Sequence, residues 1–393
     1  MKKKVNRGMK IRIFPNDVQT NKIEQTFGCV RHIWNYSLME KFSILELFGD
    51  YPELYRSHIY KLQKDWKVFF PFYKDVDSQA LNSEQQILNK TFKHWLKGVC
   101  KKPRFKSKKS LRNSYTSHTT NSNIRIEGEF IVIPKVGRVK LSKTRRKLAS
   151  DTLIKAVTVS KNAVGKYYVS LRLELEQEVT VKSNNMIKSI GLDFSMAHFY
   201  VDSEGKKANF PSYVLETLNR IKKTDRKMSR QKKGSYRREK TRIKRAKLYE
   251  KLSNQKKDFH HKLSRHLAKE NDVITVETLS LKEMDEYKND KRKIQLYGFH
   301  QFLRFLEYKC QEEGALFHKV DKYYASTKTC CNCQSKKVKM PRSERIYSCE
   351  HCGTIIDRDI NAAINLATQG MIKYLTKNIE DRTASIAWSS CEH

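Results

Sequence analysis

Apolar residues recur along the chain with two periods, and the change of period divides it. Residues 8–15, GMKIRIFP, predict a short strand. Ile23, Phe27, Val30 and Trp34 follow at three- and four-residue steps, which predicts a helix buried along one face. Helical and aromatic material continues to about residue 98. The segment 101–123, KKPRFKSKKSLRNSYTSHTTNSN, is basic and then polar, with Pro103 as a breaker. It predicts a loop or a crossing segment that touches nucleic acid. From residue 124 the period becomes two: IRIEGEFIVI turns at Gly128, and Val169, Leu171, Leu173 and Leu175 alternate with Ser170, Arg172 and Glu174 after a turn at Gly165. Residues 124–176 therefore predict a β-rich module, a small barrel that the strand at 8–15 joins.

Beyond residue 180 the periods alternate. KSIGLDFSMAHFYVDSEGKK predicts strand, turn and strand, with Asp193 at the end of the first. Residues 220–247 hold 15 basic and 2 acidic residues, and Leu248, Leu252, Phe259, Leu263 and Leu267 then keep helical spacing. That pattern predicts one long helix or two, with a basic first half and a core-facing second half. NDVITVETLSL predicts a strand ending at Glu277, and GALFHKV, residues 314–320, another. No internal repeat is present.

Composition narrows the partners. With 38% hydrophobic residues, 19 Tyr and 18 Phe, the chain carries too much core material for a disordered polycation. Its 393 residues suffice for two or three domains. Eighty Lys and Arg against 42 Asp and Glu give a net charge of +38, a self-repelling field that a polyanion relieves. Nucleic acid is the expected partner, ahead of an anionic membrane surface. No apolar run approaches the roughly 18–20 residues that span a bilayer, and MKKKVNRGMKIRIFPND lacks the apolar stretch of a signal peptide.

Nine cysteines, five of them between Cys330 and Cys352, fit a reducing compartment and a metal site better than a disulfide framework. Cys330-x2-Cys333 and Cys349-x2-Cys352, fifteen residues apart, offer four thiolates from two tight knuckles. Their spacing predicts one tetrahedral, structural zinc with no open position. Cys331 and His351 are spare.

Three acids stand where acids are otherwise hard to place. Asp193 follows SIGL, Glu277 follows VITV, and DRDINAAINL carries Asp357 and Asp359. Any one of them alone reads as a turn or cap residue. Together, in the order strand–Asp, strand–Glu, helix–Asp, they match an RNase H-like nuclease core, in which carboxylates hold two Mg²⁺ or Mn²⁺ ions. Two-residue spacing does not choose between Asp357 and Asp359. Arg104, Lys106, Lys232, Lys233, Arg237 and Arg238, from the two basic tracts, are candidate phosphate contacts, and Tyr236 and Tyr115 candidate stacking residues.

Taken together, MKIRIFPNDVQTNKIEQTFGCVRHIWNYSL, KPRFKSKKSLRNSYTSHTTNSNIRIEGEFIVIPKVGRVKL, IGLDFSMAHFYVDSEG, ITVETLSLKEM, YYASTKTCCNC, YSCEHCGTIIDRD and DRDINAAINL resemble, in order, the segments of the transposon-encoded TnpB (OrfB) family. That family is related to Fanzor proteins and the smallest type V CRISPR effectors. Gln334, where a Gly often follows the first knuckle, and the additional thiol of Cys331 depart from the pattern.

The resemblance implies a mixed α/β, multidomain protein: a wedge-like β-barrel over 1–16 and 101–180, and a helical recognition segment over 17–100. An RNase H-like (RuvC-like) nuclease over 181–323 and 356–375 would follow, with a zinc ribbon at 324–355 inserted before its third motif. A tail over 376–393 remains, whose order the sequence leaves open. The resemblance also implies an RNA-guided DNA endonuclease with Asp193, Glu277 and Asp359 as its metal-binding acids, and Asp357 as a cap. Its partners would be a guide RNA from the transposon end and double-stranded DNA cut beside a short motif. It would act as a monomer in a ribonucleoprotein, in the cytoplasm at the nucleoid of a prokaryotic cell. A strand-joining transposase and a non-catalytic guided regulator are the alternatives.

Overall fold

The computed structural model describes residues 2–49, 66–109, 113–143, 152–178, 186–195, 197–278, 296–341 and 343–389. Residues 279–284 of the ITVETLSLKEM motif, and 390–393 with Cys391, lie outside them. The chain divides into two compact units, Lys2–Gln177 and Glu178 to the carboxyl terminus. No helix among the described residues is long and apolar enough to cross a membrane.

In the first unit, strands β1 (Lys2–Phe14), β2 (Asn113–His118), β3 (Arg125–Glu127), β4 (Phe130–Ile133), β5 (Gly137–Leu141), β6 (Leu153–Lys161) and β7 (Tyr167–Glu178) form one sheet, in the order β2-β6-β7-β1-β5-β4-β3. The amino-terminal strand thus sits mid-sheet, antiparallel to β5 with Ile13 opposite Leu141. Among the described residues no pairing joins β2 to β3, so the expected barrel is seen as a sheet with two edges. Helix α1 (Asp17–Phe48) starts at a reciprocal cap: Asn16 Oδ1 accepts from the Gln19 N–H, and Gln19 Oε1 accepts from the Asn16 N–H. Its Ile23, Phe27 and Val30 pack with Ile11, Ile13, Val157, Val159, Val169 and Leu171. Trp34 and Leu38 continue the same stripe onto Leu88 and Phe92 of helix α2 (Ser78–Leu96).

Two expectations about residues 101–123 change. Polar NSYTSH is strand β2, because Tyr115 and Ser117 alternate inward while β6 satisfies its backbone. Tyr115 is consequently a core residue, edge-on to Phe27, and not a base-stacking one.

The second unit is built on strands β8 (Ser189–Asp193), β9 (Tyr200–Asp202), β10 (Lys207–Ala208), β11 (Val273–Val276) and β12 (Leu316–Lys319), ordered β10-β9-β8-β11-β12. β8, β9 and β10 form an antiparallel meander, and β11 and β12 run parallel to β8. The basic tract forms two helices, α3 (Ser212–Ser229) and α4 (Tyr236–Glu270). Arg238 Nη1 donates to the carbonyls of Met228 and Gln231 and holds the turn between them. Helix α5 (Phe299–Glu313) precedes β12, and Phe299, Phe302 and Leu306 join Phe199, Leu252 and Leu267 in the core. Strands β13 (Ile346–Ser348) and β14 (Ile355–Asp357) make a hairpin, and helix α6 (Arg358–Ser389) follows directly. The helix runs on into the expected tail because no Gly or Pro occurs between 371 and 389.

Helix α6 lies against the sheet at two glycines. A Cβ on Gly191 of β8 would meet the Ala363 carbonyl oxygen at 2.0 Å and the Ala367 nitrogen at 2.6 Å; a Cβ on Gly370 would meet Thr275 Oγ1 of β11 at 1.9 Å. These clashes involve backbone or a short β-branched side chain, so a methyl group forces the helix away. Gly191→Ala is expected to cost at least about 2 kcal/mol, read as a lowered melting transition of this unit.

Candidate active site and metal centre

Strand register brings the first two acids together. Leu192 pairs with Val276 across parallel strands, so Asp193 and Glu277 are the next residues on adjacent chains, about 4.8 Å apart along the hydrogen-bonding direction. Side chains two apart share a face. Asp193 therefore lies on the face of Gly191, and Glu277 on the face of Thr275, the face that α6 covers. Asp359 is one helical turn before Ala363, which sits over Gly191. Three carboxylates thus reach one end of the sheet from β8, β11 and α6.

The carboxylates share one electrostatic field. Asp193 is buried, and its pKa stands well above the ordinary Asp range, first through loss of solvent and then through repulsion by Glu277 and Asp359, which the Arg358 guanidinium partly offsets. Glu277 is pushed up to about 7, chiefly by burial; a hydrogen bond from the Phe194 N–H opposes the rise and Asp359 adds to it. Asp359 is held by Arg358, Nη2 to Oδ1 3.2 Å, with Arg345 Nη1 at 3.9 Å from Oδ2. Crowded, desolvated acids of this kind are a site for added positive charge.

Asp357 does different work. Its Oδ1 accepts from the N–H groups of Asp359 (2.8 Å) and Ile360 (3.4 Å), and its Oδ2 faces Lys207 at 3.6 Å. It caps α6.

Cys330, Cys333, Cys349 and Cys352 place their four Sγ atoms within 4.8 Å of one another; among the described residues they are the one such group of three or more His, Cys, Asp or Glu. Cys330–Cys352 and Cys333–Cys349 are 3.7 and 3.6 Å apart. A zinc tetrahedron with 2.3 Å bonds has edges of about 3.8 Å, so the thiols fit the ion. Cys331 stands outside the set, with its backbone N–H donating to Asn361 Oδ1 at 2.9 Å. Asn361 and Asn365, both fully buried on α6, donate to the carbonyls of Thr329 (2.8 and 2.7 Å) and, from Asn365, Ser326 (2.8 Å). The first knuckle is thereby pinned to the helix that carries Asp359.

The basic candidates separate. Arg104, Lys232, Lys233 and Arg237 are exposed. Lys106 is paired with Glu84 and lies 4.1 Å from the Trp34 ring centre, so its charge is used within the first unit. Arg238 is used in the α3–α4 turn. Tyr236 is 82% exposed. Sequence reasoning missed Arg358, Arg345, Asn361 and Asn365. An Arg between two acids, and Asn at 361 and 365 in an apolar helix, were the available signals.

Three family profiles match successive parts of the chain: the OrfB_IS605 helix-turn-helix domain over 1–47, OrfB_IS605, described as a probable transposase, over 170–288, and the Cas12f1-like TNB domain over 299–366. A Streptomyces pristinaespiralis protein, provisionally named an RNA-guided DNA endonuclease, is 28% identical over 375 residues, covering 94% of this chain and 91% of its own. The chain resembles the TnpB (OrfB) family in successive segments from its amino terminus to residue 366. A second relative, Escherichia coli InsQ, carries the same provisional name and is 22% identical, with 92% of this chain and 91% of InsQ covered. The fold is shared with Cas12f1 in its complex with guide RNA and target DNA: TM-score 0.59, 12% identity, 93% of this chain and 99% of Cas12f1. The TNB match contains all four thiols and Asp359. Residues 2–47 form a strand and one helix here, so the helix-turn-helix description carries no docking geometry.

Proposed function

We propose that this chain is a TnpB-type, RNA-guided, metal-dependent DNA endonuclease. The observation that carries the reading is the placing of Asp193, Glu277 and Asp359 at one end of a β10-β9-β8-β11-β12 sheet, the strand order of an RNase H-like core. Asp193, Glu277 and Asp359 would hold one or two Mg²⁺ or Mn²⁺ ions. When bound, the metal supplies an activated water and neutralises charge on the leaving 3′ oxygen. Asp193 and Glu277 would hold the cation as carboxylates, so that metal and protons would compete for them, and burial would keep bulk water from screening the charges. Arg358 and Arg345 hold the Asp359 carboxylate in one orientation. The four cysteines hold a structural zinc, and Asn361 and Asn365 transmit its rigidity to α6.

The exposed Arg104, Lys232, Lys233 and Arg237 suit backbone contacts with an A-form RNA–DNA hybrid, which leaves sequence choice to base pairing. The guide would come from the transposon end, and cutting of both strands would follow pairing beside a short motif. The relatives' provisional names favour this activity; the transposase description of one matched profile favours strand joining instead. The discriminating experiment is purification from cells carrying the native locus, with sequencing of the co-purifying RNA and a cleavage assay before and after ribonuclease. A discrete transposon-end RNA and loss of cutting after ribonuclease are expected. Activity on transposon-end DNA that survives ribonuclease would support the transposase.

A further inference from the structure

Three parallel strands end at the carboxylate edge. The outermost, β12, leads there into Asp321, Lys322, Tyr323 and Tyr324. The Val320 N–H donates to the Val276 carbonyl at 3.0 Å, and Thr278 Oγ1 donates to the Val320 carbonyl at 2.5 Å, so this loop starts beside Glu277. One strand spacing and three residues of chain keep the Tyr323 backbone within about 15 Å of Glu277. The turn is fixed from within. Asp321 Oδ1 accepts from the Tyr323 N–H at 2.8 Å, and the Asp321 carbonyl accepts from the Tyr324 N–H at 3.1 Å. Tyr324 faces inward, its hydroxyl donating to the Asn365 carbonyl of α6 at 3.4 Å.

Tyr323 faces the other way and is 84% exposed, with the Lys322 ammonium 5.5 Å from its ring centre. A ring this exposed adds almost nothing to the core. The locked turn fixes the backbone that carries it, so stacking has only the ring's two side-chain torsions left to order. An aromatic face beside a cation suits single-stranded nucleic acid: the ring stacks on a base and the ammonium meets the neighbouring phosphate.

We propose that Tyr323, with Lys322, is a stacking step that positions the DNA strand being cut, within a few nucleotides of the scissile bond. The proposal rests on the endonuclease reading above. The experiment uses the whole ribonucleoprotein with its co-purified guide and measures single-turnover cleavage of targets from which one base at a time has been removed near the cut.

Tyr323→Ala is expected to slow cutting about 5- to 100-fold with guide binding and melting temperature unchanged, and Tyr323→Trp to restore it. Removing the contacted base should slow the wild type by a similar factor and leave Tyr323→Ala indifferent. The step is overturned if Tyr323→Ala cuts within twofold of wild type. It is also overturned if base removal slows both proteins equally, or if the coupling appears only when a guide RNA base is removed. A wild-type complex that cuts no target overturns the endonuclease reading and this step with it.

Discussion

Asp193→Asn is expected to abolish DNA cleavage and, in the absence of divalent metal, to make the protein more stable. The two effects share a cause. Asp193 is buried against Glu277 and Asp359, and its ionised form is disfavoured by lost solvation and by repulsion. For Glu277 the pKa rises from 4.5 to about 7. A group whose folded pKa is raised contributes stability that is complete below its unfolded pKa and lost as pH climbs through the folded one. For Glu277 that window is about pH 4.5 to 7, and Asp193 adds a loss of the same sign above its ordinary range. At pH 7.5 the metal-free wild type therefore carries strain at both acids, and a neutral amide at position 193 removes the part that Asp193 contributes.

Mg²⁺ should offset the same strain, raising the wild-type melting temperature and leaving that of Asp193→Asn unmoved. Cleavage should fall at least about 10³-fold, close to 4 kcal/mol of barrier. Asp359→Asn should lose cutting likewise, whereas Asp357→Asn should keep it, because asparagine caps a helix nearly as well as aspartate. An Asp193→Asn protein that melts lower without metal, or responds to Mg²⁺ as the wild type does, would contradict this account of the acid cluster. Cutting that survived Asp359→Asn but not Asp357→Asn would reassign the third acid.

Removal of zinc is expected to disconnect the third acid from the other two. One zinc per chain should be found by elemental analysis, and chelation or Cys330→Ser should release it. The apolar packing around the knuckles is small: Cys330, Tyr347 and Cys349, with Cys333, Met340 and Ile356 packed on them. A structural zinc contributes on the order of 10 kcal/mol to such a fold, far more than that cluster supplies. Amide exchange should therefore rise sharply over residues 326–357 while α1 stays protected. Cleavage should be lost with Asp193 and Glu277 still in place, since the contacts from Asn361 and Asn365 to Thr329 hold only if the first knuckle keeps its shape. Retained cutting with zinc gone would show that the ribbon does not orient α6.

The sequence foretold the elements wherever burial imposed one period on a run of residues. Ile23, Phe27, Val30 and Trp34 mark the buried face of α1, and Val169, Leu171 and Leu173 the inward face of β7. The doubled CxxC spacing fixes its own geometry locally, so four thiols 22 positions apart at most were legible without a fold. Polar alternation was harder: NSYTSH is a strand because β6 pairs with it, which no local pattern states. Charge density also failed to show which cations are free. Lys106 comes from the same run as Arg104, and Arg238 from the same run as Lys232 and Arg237, yet the partners of Lys106 and Arg238, Glu84 and the Met228 carbonyl, are set by tertiary packing. Gly191 and Gly370 mark where α6 touches the sheet, and their meaning appears only once both elements are in place.

The most direct test of the central claim is to exchange the guide. The targeting segment of the co-purified RNA is replaced by an unrelated sequence, and the reconstituted complex is offered the original and the new DNA, each beside the same flanking motif, with Mg²⁺. The account predicts that cutting moves to the new target, stops at the old one, and disappears in both with Asp193→Asn. Cleavage that stays at the original DNA whatever the RNA, or proceeds without RNA, would contradict it.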